Sequence, residues 1–226
     1  MGPGVKSQLG PGYPENKDSP FRSEAFANRE VLELSFDESS KLSLGNMRAI
    51  DFFGDGSLYF LDAPGHAVGH INALARTSTN PDTFIYMGGD SYHHAAELRP
   101  SENVPLPNPV EVANLNPYPC PAELFHSFHP CAGYEDPSRT PFVKIGEKSP
   151  AIDLEEARRT VDKITAFDAD ENILLVAAHD WSLKDVVEYF PQSSNDWKRK
   201  GWKETGRWRF LVDFQKAVDL ASKSKL

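Results

Sequence analysis

The chain has 226 residues, 39% hydrophobic and 25% charged, enough to bury a sizeable core in one domain or at most two; this composition excludes a disordered tail, a collagen-like fibre and a membrane bundle. Asp and Glu outnumber Lys and Arg by 33 to 24, and the net charge of -9 argues against a protein whose main task is gripping phosphate backbones, although a local basic patch stays open. No apolar run approaches the roughly eighteen residues of a membrane span, and Met1–Pro20 is rich in Pro, Gly and Lys where a secretory signal needs an apolar stretch, so the expected compartment is the cytoplasm.

Residues 1–30, with Gly2-Pro3-Gly4, Gly10-Pro11-Gly12 and Pro14, carry no apolar period and read as an extended arm or loop, while 31–226 read as the C-terminal part of a single domain. Val31–Phe36 alternates in part and predicts a strand; Leu42–Leu44, Met47–Phe53 and Leu58–Leu61 predict more, with Asp55-Gly56 as a hairpin turn. Ile71–Ala75 and Thr83–Met87 follow as strands around a turn at Thr77–Asp82. Leu98–Pro150 holds eleven prolines and predicts an irregular excursion of the kind that covers binding sites. It also holds the only two cysteines, Cys120 and Cys131; a bridge between them stays open, and free thiols are the simpler reading.

Asp153 and Glu156 form a capping box, and Leu154, Ala157, Val161, Ile164 and Phe167 recur at helical spacing, which predicts the clearest helix. Ile173–Ala177 is wholly apolar and predicts a buried strand; Ser182 and Asp185 then suggest a cap for a helix around Val186–Phe190, and a last helix is expected from Trp208 to about Lys223. Trp197, Trp202 and Trp208 interleave with Lys198, Arg199, Lys200, Lys203, Arg207 and Arg209. That pattern suits either nucleic acid or a capping layer whose basic stems cover buried indoles, and the acidic chain favours the second.

Three apolar strands end in residues that bind metals: Leu58–Asp62 leads to His66, Thr83–Met87 to Asp90, and Ile173–Ala177 to His179. Strand ends are rigid and the loops beyond them open, so ligands there are held in fixed directions beside solvent. Two imidazoles and a carboxylate suit Zn²⁺ at about 2.0–2.2 Å, and Gly88-Gly89 lets the backbone bend before Asp90. Singly, each residue reads as an ordinary hydrogen-bonded histidine or turn; together they carry more weight. Of the remaining histidines, adjacent His93 and His94 point in different directions, so at most one of them faces such a site, and His126 and His129 read as lining or surface.

The string Asp62-Ala63-Pro64-Gly65-His66-Ala67-Val68-Gly69-His70-Ile71, then Phe84-Ile85-Tyr86-Met87-Gly88-Gly89-Asp90, then Val176-Ala177-Ala178-His179-Asp180, resembles the second half of a metallo-β-lactamase-superfamily hydrolase, most closely its fungal lactonase-like members. The likeness extends through Phe52–Ser57 and from Phe190-Pro191 to Gly201-Trp202. It implies an α/β fold of the αββα sandwich type, here N-terminally incomplete. It also implies zinc, up to two ions in the family, with His66 on the first, His179 on the second and Asp90 as the catalytic carboxylate bridging both. His70, His93, His94 and Asp180 become pocket or supporting candidates, Asp62 and Asp180 by orienting imidazoles.

The family's His-x-His-x-Asp-His motif is absent, and the resemblance sets Met1 just after it. One zinc or none is therefore expected for this chain. The readings that follow are a hydrolase of small esters or lactones, a non-catalytic remnant that binds, and, less favoured, a nucleic-acid-processing member. An apolar face left open by a half-sandwich would call for a partner, a second copy of the chain among the candidates.

Overall fold

The computed structural model describes residues 1–37 and 41–224. Six strands form one mixed sheet in sequence order: β1 (Ser43–Leu44), β2 (Met47–Asp51), β3 (Leu58–Asp62), β4 (Ile71–Thr79), β5 (Asp82–Met87) and β6 (Ile173–Val176). The first five are an antiparallel meander, and β6 lies parallel to β5. The helices are α1 (Val5–Leu9), α2 (Ala122–Phe128), α3 (Leu154–Ala169), α4 (Trp202–Gly206) and α5 (Gln215–Ser224). Sheet and helices make one layer pair of the α/β sandwich that the sequence implies.

The direction of the strands decides where chemistry can sit. β3 and β5 are both antiparallel to β4 and so run the same way, and β6 is parallel to β5. The carboxyl ends of all three therefore meet at one edge of the sheet, the usual ligand edge of an α/β fold.

Packing reaches both faces at the β5–β6 end of the sheet. Asp153 caps α3 by accepting from Glu156 N at 2.9 Å, and the helix buries Ala157, Val161, Ile164 and Phe167 against Leu61, Leu74, Tyr86, Ile173 and Leu175. On the other face Leu174 meets Trp197 and Trp202, with Ile85 and Val176 beside them. β6 thus sends successive side chains into two different cores, which is why its sequence is apolar without alternation. A third cluster joins residues 98–150 to the C-terminal helices through Val110, Phe125, Phe142, Phe210, Leu211 and Val218.

The C-terminus of α3 is capped from a distance. Its last turn has no basic residue of its own, and the carbonyls of Asp168 and Asp170 accept instead from Lys203 Nζ at 2.8 and 2.6 Å, with Ile173 O as a third acceptor at 2.6 Å. A cation at this end also complements the helix dipole.

Five segments differ from expectation. Residues 1–30, read as an arm or loop, hold the short helix α1 with Val5 buried and a 3-10 turn at Ser23–Ala25. Val31–Phe36 is extended but joins no sheet strand: its main-chain partner is Met1, through Met1 N to Leu32 O and Leu34 N to Met1 O, and only Phe36 is buried. At 77–82 the chain continues as strand to Thr79, because β-branched threonines suit a pleated surface, and only Asn80-Pro81 turns. Val186–Phe190 is not helical, since Pro191 disfavours helix at the residue before it and Tyr189 and Phe190 find no core, at 60% and 96% exposure. Trp208–Lys223 is split into a 3-10 stretch, Arg209–Phe214, followed by α5.

Candidate metal centre

The loop after β3 is pinned to α3. Gly65 O and His66 O accept from Asp153 N and Ile152 N at 3.0 and 3.2 Å, and Thr160 Oγ1 donates to Pro64 O at 2.8 Å. Gly65 has φ +118°, and a Cβ there would lie 2.2 Å from Ala157 N, so only glycine lets the loop come this close to the helix. His66 follows directly and leans over the strand ends.

The loop after β5 is equally constrained. Gly89 has φ +51°, while Gly88 is not left-handed, so the sharp bend falls on one glycine of the pair. Gly88 N donates to Val176 O and Ala178 N to Gly89 O, which ties the Asp90 loop to the His179 loop. His70 Nε2 accepts from Asp90 N at 3.1 Å, and its Nδ1 lies 3.1 Å from Ala63 O. A neutral imidazole with its proton on Nδ1 satisfies both contacts, and burial holds His70 below the ordinary histidine value. This side chain links the β3 and β5 loops and is not aimed at an ion.

At the mouth, Asp90 Oδ1 lies 3.0 Å from His179 Nε2, and Oδ2 lies 3.8 Å from His66 Nε2. Oδ1 is shielded from solvent, yet among the described residues it accepts no hydrogen bond, although His179 Nε2 is near it. The ring of His93 sits 5.2 Å from that of His179 and 5.3 Å from that of His66. Burial lowers the pKa of His66, partly offset by the Asp90 charge and reinforced by His93 and His179, so it favours the neutral, metal-binding form. A buried carboxylate oxygen without a donor, facing imidazole nitrogens, is a donor set that fits a borderline divalent cation. The ligand atoms of Asp90, His93 and His179 all lie within 4.8 Å of one another.

The other candidates are committed elsewhere. His94 accepts from Ala96 N at 3.1 Å through Nδ1 and meets Asp213 Oδ2 at 3.1 Å through Nε2. Asp180 caps the turn Trp181–Leu183 by accepting from Ser182 N, and Asp62 pairs with Arg48 at 2.6 Å. His129 Nε2 lies 2.9 Å from Thr140 O, and its Nδ1 lies 2.9 Å from Cys131 Sγ; Cys120 and Cys131 are both free. In the basic stripe Trp197 and Trp202 are buried, Trp197 Nε1 donates to Thr77 Oγ1, and Arg199, Lys200 and Arg207 pair with Asp196, Glu188 and Glu171.

Asn72, Ser91 and Thr160 support the site and escape sequence reading. Asn72 is buried in β4, accepts from Ser91 Oγ at 2.9 Å and donates to Tyr86 Oη at 2.6 Å, fixing the residue after Asp90; Thr160 fixes the loop before His66. The signal for Asn72 is a polar residue two places before Leu74, at a register that faces the core.

Relatives settle the family. The chain is 41% identical over 169 residues to gamma-lactamase MBL2 of Gibberella moniliformis, a match covering 73% of this chain and 68% of that protein. The chain belongs to the metallo-β-lactamase superfamily of hydrolases. It is also 42% identical to gamma-lactamase FDB1 of Fusarium pseudograminearum, over 95% of this chain and 52% of that one. The metallo-hydrolase mfmC of Annulohypoxylon moriforme is similar too, at 42%, over 96% and 56%. The chain thus spans about half the length of these last two curated relatives. No family model and no solved structure matches it. Among the described residues of this superfamily member, no helix is long and apolar enough to cross a membrane.

Proposed function

We propose that this superfamily member is a zinc-dependent hydrolase that opens small cyclic acyl compounds, with His66, Asp90 and His179 as metal-holding side chains. The observation that carries the reading is Asp90 Oδ1, buried without a hydrogen bond while imidazole nitrogens face its carboxylate. Leaving such an oxygen unsatisfied costs about 1–3 kcal/mol or more, a cost that a cation in contact with it removes. When bound, zinc supplies Lewis acidity, lowering the pKa of water to about 7 and polarising a carbonyl.

The chain's own residues position this chemistry. Asp90 is held from both sides, by His70 on its amide and by Ser91 and Asn72 behind it. His66 is held by the backbone of residues 152–153, and His179 by the bond from Ala178 N to Gly89 O. Beside His179 a cleft of about 300 Å³, lined among others by Trp181, Leu183, Val187 and Tyr189, offers apolar surface for a small substrate. Lactones and esters follow from the sequence resemblance; a γ-lactam is the cyclic amide that two relatives are named for.

The test is zinc per chain by elemental analysis after dialysis in metal-free buffer, with lactone, ester and γ-lactam hydrolysis measured on the same protein and on Asp90→Ala. Near-stoichiometric zinc and ring opening, both lost in Asp90→Ala, are expected. Zinc-free protein, or hydrolysis that survives Asp90→Ala, would overturn the reading.

A further inference from the structure

We propose that His93 is a metal ligand, and that Asp90, His93 and His179 together form a three-donor cation site built from the ends of β5 and β6 alone. This rests on the metal-dependent reading above and deepens it: to the side chains named there it adds a donor that the sequence pattern leaves in the pocket wall.

The geometry selects these three. Their ligand atoms all lie within 4.8 Å of one another. A zinc ion at about 2.0–2.2 Å from each donor needs donor separations near 3.4 Å in tetrahedral geometry. The adjustment from the widest separation is about an ångström and a half at most, and the His179 side chain, 56% exposed, has room to make it. His66 adjoins the set, with its Nε2 3.8 Å from the carboxylate and its loop fastened to the start of α3.

The local chain explains why His93, of two adjacent histidines, points here. The backbone N–H of His93 donates to Glu97 Oε2 at 3.1 Å, and His94 starts the 3-10 turn Ala95–Glu97 by accepting from Ala96 N. That commits the His94 ring to its own backbone, to Asp213 and to the edges of Phe210 and Phe214. The His93 ring is turned to the other side of the chain. Among the described residues it makes no hydrogen bond; it stacks on His179 at an interplanar angle of 23° and lies beside His66.

The donor set fixes the class of ligand. Two imidazole nitrogens and one carboxylate oxygen favour Zn²⁺ and similar borderline ions over Ca²⁺ or Mg²⁺, which prefer oxygen. Three protein donors also leave a coordination position open.

The experiment uses the full 226-residue chain, stripped with a chelator and titrated with Zn²⁺ by calorimetry and with Co²⁺ by visible absorption. The variants are His93→Ala, His93→Gln, His94→Ala and Asp90→Asn, each checked by circular dichroism. The expected result is a loss of Zn²⁺ affinity of about tenfold or more in both His93 variants, with an altered Co²⁺ spectrum, while His94→Ala stays within about twofold of wild type. Wild-type affinity and spectrum in folded His93→Gln, with binding lost in Asp90→Asn, would overturn the role of His93 and leave the metal reading standing. Equal weakening by His93→Ala and His94→Ala would overturn it as a packing effect, and no binding by the wild-type chain would overturn both proposals.

Discussion

Arg99 and Asp168 make a buried ion pair whose one-sided loss is costly. Arg99 Nε and Nη2 donate to the two carboxylate oxygens of Asp168 at 2.7 Å each, Nη1 donates to Arg207 O, and the side chains are 7% and 1% exposed. Asp168→Ala leaves a guanidinium in the interior with one carbonyl for company, and breaking a buried pair from one side costs about 3–5 kcal/mol. Replacing both partners with apolar residues leaves no orphaned charge, so Arg99→Met/Asp168→Leu is expected to cost less than Asp168→Ala alone. Burial by itself would push the Asp168 carboxyl up, but the charge and donors of Arg99 more than offset this and hold it below the ordinary value. The folded state then binds fewer protons than the unfolded chain. The stabilisation is full above the unfolded value near pH 4 and is lost as pH falls through the folded value. Urea unfolding followed by two probes at pH 7, and repeated towards pH 3, measures both effects. A loss under about 1 kcal/mol in Asp168→Ala at pH 7, or a gap to wild type that widens in acid, would refute the argument.

Gly65→Ala places a methyl group 2.2 Å from Ala157 N at φ +118°, so a loss of more than about 2 kcal/mol in thermal unfolding is expected, together with weaker zinc binding because His66 is the next residue. Lys203→Met removes the donor to the carbonyls of Asp168, Asp170 and Ile173; burial already pushes this ammonium down to about 8, and chemical denaturation is expected to register a loss of about 2–4 kcal/mol. Trp197→Ala empties a fully buried site on β6 and removes the indole donor to Thr77 Oγ1, for an expected cost of about 3–5 kcal/mol by the same assay. Because most basic groups around the tryptophans are paired with carboxylates, the chain is expected to pass a heparin column without a steep salt dependence; strong retention at moderate salt would contradict that pairing.

What the sequence disclosed and what it withheld follow from the range of the interactions. The capping box at Asp153, the apolar stripe of α3 and the unbroken run of β6 are set within a few residues, and each takes the form its pattern predicts. Val186–Phe190 has capping residues before it too, but Val186 and Val187 alone reach the Trp197–Trp202 cluster while Tyr189 and Phe190 meet no core, and Pro191 follows. The site divides along the same line. That β3, β5 and β6 end in His66, Asp90 and His179 is local; that these ends share one sheet edge depends on two antiparallel pairings and one parallel one, the last spanning the excursion and α3. The direction of His93 is decided by the cap that His94 provides and by Asp213, more than a hundred residues downstream, which holds the neighbouring ring away. Lys203 shows the limit most sharply: in sequence it is one more charge in a basic stripe, and in the fold it closes the end of a helix more than thirty residues earlier. A residue's chemistry is written in its type, but whether it serves as ligand, cap or solvated charge is settled by the group that has already claimed its polar atoms.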